Sequence, residues 1–196
     1  ARAGPLGARQ PSLSQPPTPT PPPSSVDLRA TALVFAFPAL GGALFGYDIG
    51  ATGGALLSLQ SAASGAPWAA SLTPLATGAV VSSSLVGALV GSAIAFVIGD
   101  AVGRKAELVG AGCLYATAAA SMAAAPSLPL LLAARALYGV GIGLAMHAAP
   151  AYIAEAAPAS VRGVLVSLKE AAIVGGILAG FVSGVVWSVD TEGAWR

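Results

Sequence analysis

The chain has 196 residues, 56% of them hydrophobic and only 9% charged, where a soluble domain carries about a quarter charged residues. Nine basic against eight acidic side chains leave a net charge of +1, and no basic stripe interleaved with aromatics is present, so nucleic acid is excluded as a partner. The one cysteine, Cys113, excludes an intrachain disulfide or a cysteine-based metal cluster, and its place in an apolar run predicts a packing role.

Residues 1–29 form the first segment. They contain Arg2 and Arg9, serines and the stretch QPPTPTPPPSS, with no acid before Asp27. Such a composition cannot bury a core and favours extended, solvated chain, so a disordered Pro/Ser-rich tail is expected. Two readings fit it: a plain tail, or an organelle transit peptide, which is also rich in Arg and Ser and poor in acids. The proline content suits the second less well. The chain opens on Ala1 and closes on Arg196 just after a tryptophan, and both ends read as cut.

From residue 30 the character changes. Five apolar runs follow, at about 31–58, 74–98, 107–126, 128–151 and 164–188, each of roughly 20 residues or more, enough to cross about 30 Å of hydrocarbon as helix. Helix is required because an open strand would leave its backbone groups unpaired in lipid. The expected fold is therefore an all-α membrane bundle over residues 30–196. Small residues in GALVGSA (87–93) and GVGIG (139–143) predict faces along which helices approach closely. Trp187 and Trp195 fit an interfacial belt. Arg29, Arg104, Lys105 and Arg162 all fall on one side of the alternating runs, while Asp190 and Glu192 fall on the other. The positive-inside rule then places the N-terminus in the cytosol or its topological equivalent, called the inner side below.

Ionisable residues inside such runs are costly and usually functional. Asp48 lies in the first run, Arg135 in the fourth, and Lys169 and Glu170 near the start of the fifth. Desolvation favours a neutral carboxyl and a nearby cation favours a charged one, so an acid beside a movable cation can take up and release a proton. Asp48 and Arg135 suit either such a switch or a static ion pair. Lys169 is expected to snorkel to water, and Glu170 to accept hydrogen bonds from a hydroxylated substrate. His147, alone in an apolar stretch, reads as a satisfied core histidine. With no second histidine, no metal site is expected. No cofactor motif is present, and no Ser-His, Cys-His or HExxH arrangement suggests an enzyme.

The loop GDAVGRK (99–105) resembles the signature loop of the major facilitator superfamily, with Ala101 where arginine is common. GGALFGYDIG (41–50), RALYGVGIG (135–143), PAYIAEAAPASVRG (150–163) and SLKE (167–170) resemble, in order, the motifs of its sugar porter family. The wording MHAAPAYIAE and SLKE is most similar to the plant and algal xylose-proton symporter-like, plastid-type branch. The resemblance implies most of the N-terminal six-helix half of a major facilitator fold. It also implies a lipid-embedded carrier that moves a monosaccharide, hexose or pentose, with a proton, and a C-terminal half beyond this stretch. By motif, Asp48 becomes the proton-coupling acid and Arg135 its partner. Asp100, Arg104, Glu155 and Arg162 become the salt-bridge network that closes the inner gate, with Gly99, Gly103, Lys105, Pro150, Tyr152, Pro158 and Gly163 as the remaining motif positions. Glu170 stands where many sugar porters carry a sugar-binding glutamine, and Ile177 at a second such position. A plastid envelope is the favoured membrane on this resemblance, and vacuolar or plasma membrane also fits. The second functional reading is a truncated, non-transporting protein or sugar sensor that associates with full-length carriers.

Overall fold

The computed structural model describes residues 28–60, 65–69 and 72–186. Of the expected 1–29 tail, the part through Asp27 lies outside the described residues, as do Trp187, Asp190, Glu192 and Trp195, and Leu28 and Arg29 belong instead to the first helix. Among the described residues there are five long helices, α1 (Leu28–Gln60), α2 (Pro74–Val102), α3 (Arg104–Ala123), α4 (Leu128–Ala156) and α5 (Arg162–Val186). Each is long and apolar enough to cross a membrane. α2 and α4 continue past 98 and 151, so their last turns carry Asp100 and Glu155 beyond the apolar stretch.

Local chemistry sets the boundaries. α2 begins with Pro74, and the Thr73 hydroxyl accepts the backbone N–H of Ala76 at 3.2 Å, a standard cap for an otherwise orphaned donor. α2 and α3 are separated by Gly103 alone, at φ 85° and ψ 146°, a conformation close to a region essentially reserved for glycine. Its N–H bonds the Gly99 carbonyl at 3.0 Å and its carbonyl accepts Glu107 N–H at 3.1 Å. The inner turn is therefore one residue long, which fixes Arg104 beside the end of α2. Between α4 and α5, the Pro158 carbonyl accepts the N–H groups of Val161 and Arg162, both at 3.1 Å.

Two parallel helix pairs form the frame, α1 with α5 and α2 with α4, and α3 packs on α4. Both frames are glycine seams. A Cβ at Gly87 would lie 2.0 Å from the Ala136 carbonyl oxygen, and one at Gly139 would lie 2.0 Å from that of Ser84. The same holds on the other pair, where a Cβ at Gly46 would meet the Ile173 carbonyl at 1.9 Å and one at Gly176 that of Ala43 at 2.1 Å. Backbones approach this closely only where side chains are missing, and in lipid this packing replaces the hydrophobic drive between helices. The expected small faces at 87–93 and 139–143 thus meet each other.

Large apolar side chains point outward instead: Leu75 and Phe96 are each 84% exposed. On α3 the inward face is Ala111, Tyr115 and Ala118, spaced at helical period. Cys113 lies off that face and is exposed, so the expected packing role is corrected.

Candidate functional site

Arg135 is the most connected polar residue of the bundle interior. Its side chain is 8% exposed and that of Asp48 is 11% exposed. Two guanidinium nitrogens stand 3.4 Å from the two Asp48 carboxylate oxygens, Nη1 from Oδ1 and Nη2 from Oδ2. Nε donates to the Val80 carbonyl at 2.7 Å, and Nη2 also donates to the hydroxyls of Thr52 at 3.0 Å and Ser84 at 3.3 Å. The Thr52 hydroxyl in turn donates to the Asp48 backbone carbonyl one turn back. A buried charge needs this density of partners, because leaving it unpaired would cost several kcal/mol. The sequence pointed to Asp48 and Arg135. It did not point to Val80, Thr52 or Ser84, although Thr52 stands four residues from Asp48 on the same helical face.

Beside this pair lies a cavity of about 540 Å³ bordered by α1, α3, α4 and α5, with Asp48, Thr52, Tyr115, Arg135, Tyr138 and Ser183 among its walls. The Tyr138 hydroxyl donates to the Leu44 carbonyl at 3.1 Å, and its ring lies 4.7 Å from that of Tyr115 at a 53° tilt. Asp48 therefore has an anchored cation on one side and open volume on the other.

The inner end holds a second cluster. Arg104 Nη2 contacts Asp100 Oδ1 at 2.6 Å and Nε contacts Glu155 Oε1 at 3.4 Å. The one-residue turn at Gly103 sets Asp100 of α2 beside Arg104 of α3, and Glu155 adds the end of α4. Arg162, expected in this network, forms no ion pair among the described residues. Its Nη2 donates to the Ala157 carbonyl at 3.3 Å and so closes the α4–α5 turn. Lys105 is exposed, Pro150 sits within α4, and Tyr152 is half-buried.

Glu107 was not singled out by sequence, yet its side chain is only 2% exposed. Its Oε1 accepts from His147 Nδ1 at 2.9 Å, the direction a carboxylate imposes because it has no hydrogen to give. His147 thus has a hydrogen-bond partner that the sequence did not reveal, but with its side chain 32% exposed it is not the core histidine expected. Lys169 does not snorkel: its side chain is 3% exposed and its ammonium lies 2.7 Å from Glu170 Oε1. Glu170 is 60% exposed and lies outside the cavity wall. Ile177 presents its backbone to Gly50 in the α1–α5 seam. Among the described residues no group of His, Cys, Asp and Glu has a metal-holding arrangement.

Comparison with known proteins gives a consistent picture. Residues 34–196 match the family model described as sugar (and other) transporter. The chain is 53% identical over 175 residues to D-xylose-proton symporter-like 3, chloroplastic, of Arabidopsis thaliana, covering 89% of this chain and 31% of that protein. It is 49% identical to D-xylose-proton symporter-like 2 of the same plant, covering 89% and 34%. Its fold is similar to the inward-open xylose transporter XylE from E. coli, with a TM-score of 0.72 and 28% identity over 85% of this chain and 43% of that one. The chain spans about a third of the length of the curated relatives it matches.

Proposed function

The chain belongs to the sugar (and other) transporter family, a multi-pass membrane family within the major facilitator superfamily, and on that premise we propose that it serves proton-coupled symport of a monosaccharide, a hexose or a pentose, by alternating access. The observation that carries this reading is Asp48, a carboxylate inside a membrane-length helix, held at 3.4 Å from a buried guanidinium and open on its other side to a cavity. Asp48 takes up the proton and Arg135 is the cation whose pull the proton must offset. An opposing cation favours the charged carboxylate and separation from it favours the neutral one, so a shift between α1 and α4 couples protonation to conformation. The relatives' names, D-xylose-proton symporter-like, support the same cargo and ion.

Asp100, Arg104 and Glu155 form the inner gate in this reading, tying the ends of α2, α3 and α4 while the opposite side is open. Glu170, outside the cavity wall but exposed and steadied by Lys169, accepts hydrogen bonds from sugar hydroxyls on its exposed side in this reading. The described residues between Leu28 and Val186 form the membrane bundle, and residues 1–27 serve as a tail or transit segment ahead of it. A plastid envelope is the proposed membrane, in line with the chloroplastic relative. Fusing residues 1–30 to a fluorescent protein tests that placement, and diffuse cytosolic signal overturns it.

The transport reading is tested by expressing the full-length carrier in a transport-deficient cell and measuring uptake of labelled xylose and glucose at two external pH values. Uptake of either sugar that rises at acidic external pH is expected. Absence of flux for both, or uptake indifferent to pH, overturns symport.

A further inference from the structure

Arg104 has three side-chain nitrogens, and each faces a different carboxylate. Nη2 meets Asp100 and Nε meets Glu155. Nη1 points at Glu107 Oε2 but stops 3.9 Å away, and both of these buried atoms lack a hydrogen-bond partner. Buried donors and acceptors are ordinarily paired, so an unmade bond between two that face each other calls for an explanation.

We propose that Glu107, oriented by His147, is an alternative acceptor for the gate arginine: it receives Arg104 when Arg104 releases Glu155. The proposal deepens the transport reading and rests on the gate role given to Asp100, Arg104 and Glu155. In the arrangement described here the guanidinium is committed to the two exposed carboxylates, Asp100 at 93% and Glu155 at 62% exposure. In the gate role proposed for these residues, opening the inner side breaks the contact to Glu155. Water solvates Glu155 after release, but it cannot reach Glu107, and a charge pair out of water attracts more strongly than one in it. Arg104 therefore has a waiting partner, about 1 Å beyond bonding distance, that lowers the cost of opening.

The surroundings are built for that movement. His147 Nδ1 holds Glu107 Oε1 at 2.9 Å, which leaves Oε2 aimed at Arg104. A Cβ at Gly99 would stand 2.9 Å from His147 Cε1, 3.1 Å from Arg104 Nη1 and 3.2 Å from Glu107 Oε2. Only a glycine at this position leaves the space between donor and acceptor unobstructed. The titratable and charged groups around the cluster are Asp100 from α2, Arg104 and Glu107 from α3, and His147 and Glu155 from α4; α1 and α5 contribute no ion pair to it among the described residues. Glu107 and His147 are positioning residues, acting through Arg104 and not on the sugar.

The test uses the full-length carrier reconstituted in vesicles, with sugar equilibrium exchange as the rate of gate cycling. Glu107→Gln is expected to slow exchange about tenfold with the KM for sugar little changed. Glu155→Gln removes the contact that must break, so the double variant E107Q/E155Q is expected to recover most of the rate. His147→Gln should slow exchange less than E107Q and be relieved by E155Q in the same way. A merely structural Glu107 predicts that E155Q does not rescue E107Q, and that outcome, or an E107Q exchange rate equal to wild type, overturns the proposal. A second readout needs no sugar: the rate at which an impermeant maleimide added from the inner side labels Gly112→Cys, in the cavity wall where an added side chain meets nothing within 4 Å, in a background otherwise free of cysteine. Slower labelling in E107Q and faster labelling in E155Q are expected, and equal rates in all variants overturn the gate role of Glu107. If wild type exchanges no sugar while the labelling rates still diverge as expected, the transport reading fails and the gate proposal stands.

Discussion

Arg135 lies closer to the Val80 backbone than to its carboxylate partner: Nε reaches the Val80 carbonyl at 2.7 Å, whereas the nearest approach to Asp48 is 3.4 Å. The guanidinium is therefore anchored to α2 independently of Asp48, with Ser84 as a second tie to that helix. Loss of the negative charge on Asp48 leaves Arg135 with partners. A carboxylate that can be neutralised without stranding its buried cation is what reversible protonation requires.

Asp48→Asn in the full-length carrier is expected to abolish proton-driven accumulation and to flatten its dependence on external pH, while sugar exchange persists. Paired uptake and counterflow measurements on the same vesicles separate the two. Undiminished accumulation would remove Asp48 from its coupling role.

Arg135→Lys keeps the charge but not the fork. A single ammonium cannot serve the Val80 carbonyl, two hydroxyls and a carboxylate on three sides at once. Stability should fall by about 3 kcal/mol, seen as a lower thermal midpoint of the purified carrier, with uptake lost. A thermal midpoint equal to wild type would show that the fork geometry is dispensable.

The seams predict opposite outcomes for two glycines. At Gly91 a Cβ would stand 2.3 Å from the Val140 carbonyl oxygen, whereas at Gly110 nothing lies within 4 Å. Gly91→Val should cost about 3 kcal/mol or prevent a monodisperse preparation, and Gly110→Ala should change stability by about 0.5 kcal/mol or less. Size-exclusion profiles and unfolding midpoints of both variants decide the matter.

Gly103→Ala meets no steric neighbour, so its cost is conformational only, about 1–3 kcal/mol for a side chain at φ 85°. Because this residue alone joins α2 to α3, the strain should relax by moving Arg104 away from Asp100 and Glu155. Faster maleimide labelling of Gly112→Cys in the cavity wall from the inner side is the expected sign, and unchanged labelling would show that the turn does not hold the proposed gate.

The elements and the central ion pair were legible in the sequence for one reason: lipid makes charge and chain breaks conspicuous. Asp48 and Arg135 stood out because an ionisable group inside an apolar run is expensive. Backbone partners such as the Val80 carbonyl carry no sequence signature, since every residue has one. Glu107 escaped notice because it sits one turn beyond Arg104, where a charge reads as the wet flank of a helix, and only the fold sets it opposite His147, forty positions away. Cys113 and Lys169 were misread for a related reason. A uniformly apolar helix has no period from which to tell its inward face from its lipid face, so inside and outside were assigned without a phase.

The two glycine seams also bear on how the bundle can deform. Backbone resting on backbone has no rotamers to rearrange, so α1 with α5, and α2 with α4, behave as stiff planks with little give within either. Asp48 and Thr52 belong to the first plank, and Arg135 is fastened to the second through Val80 and Ser84. The Asp48–Arg135 pair therefore bridges the joint between planks, the place where compliance remains, and in the proposed coupling role the energy of one protonation would be delivered to a rigid-body displacement instead of being absorbed by side-chain repacking.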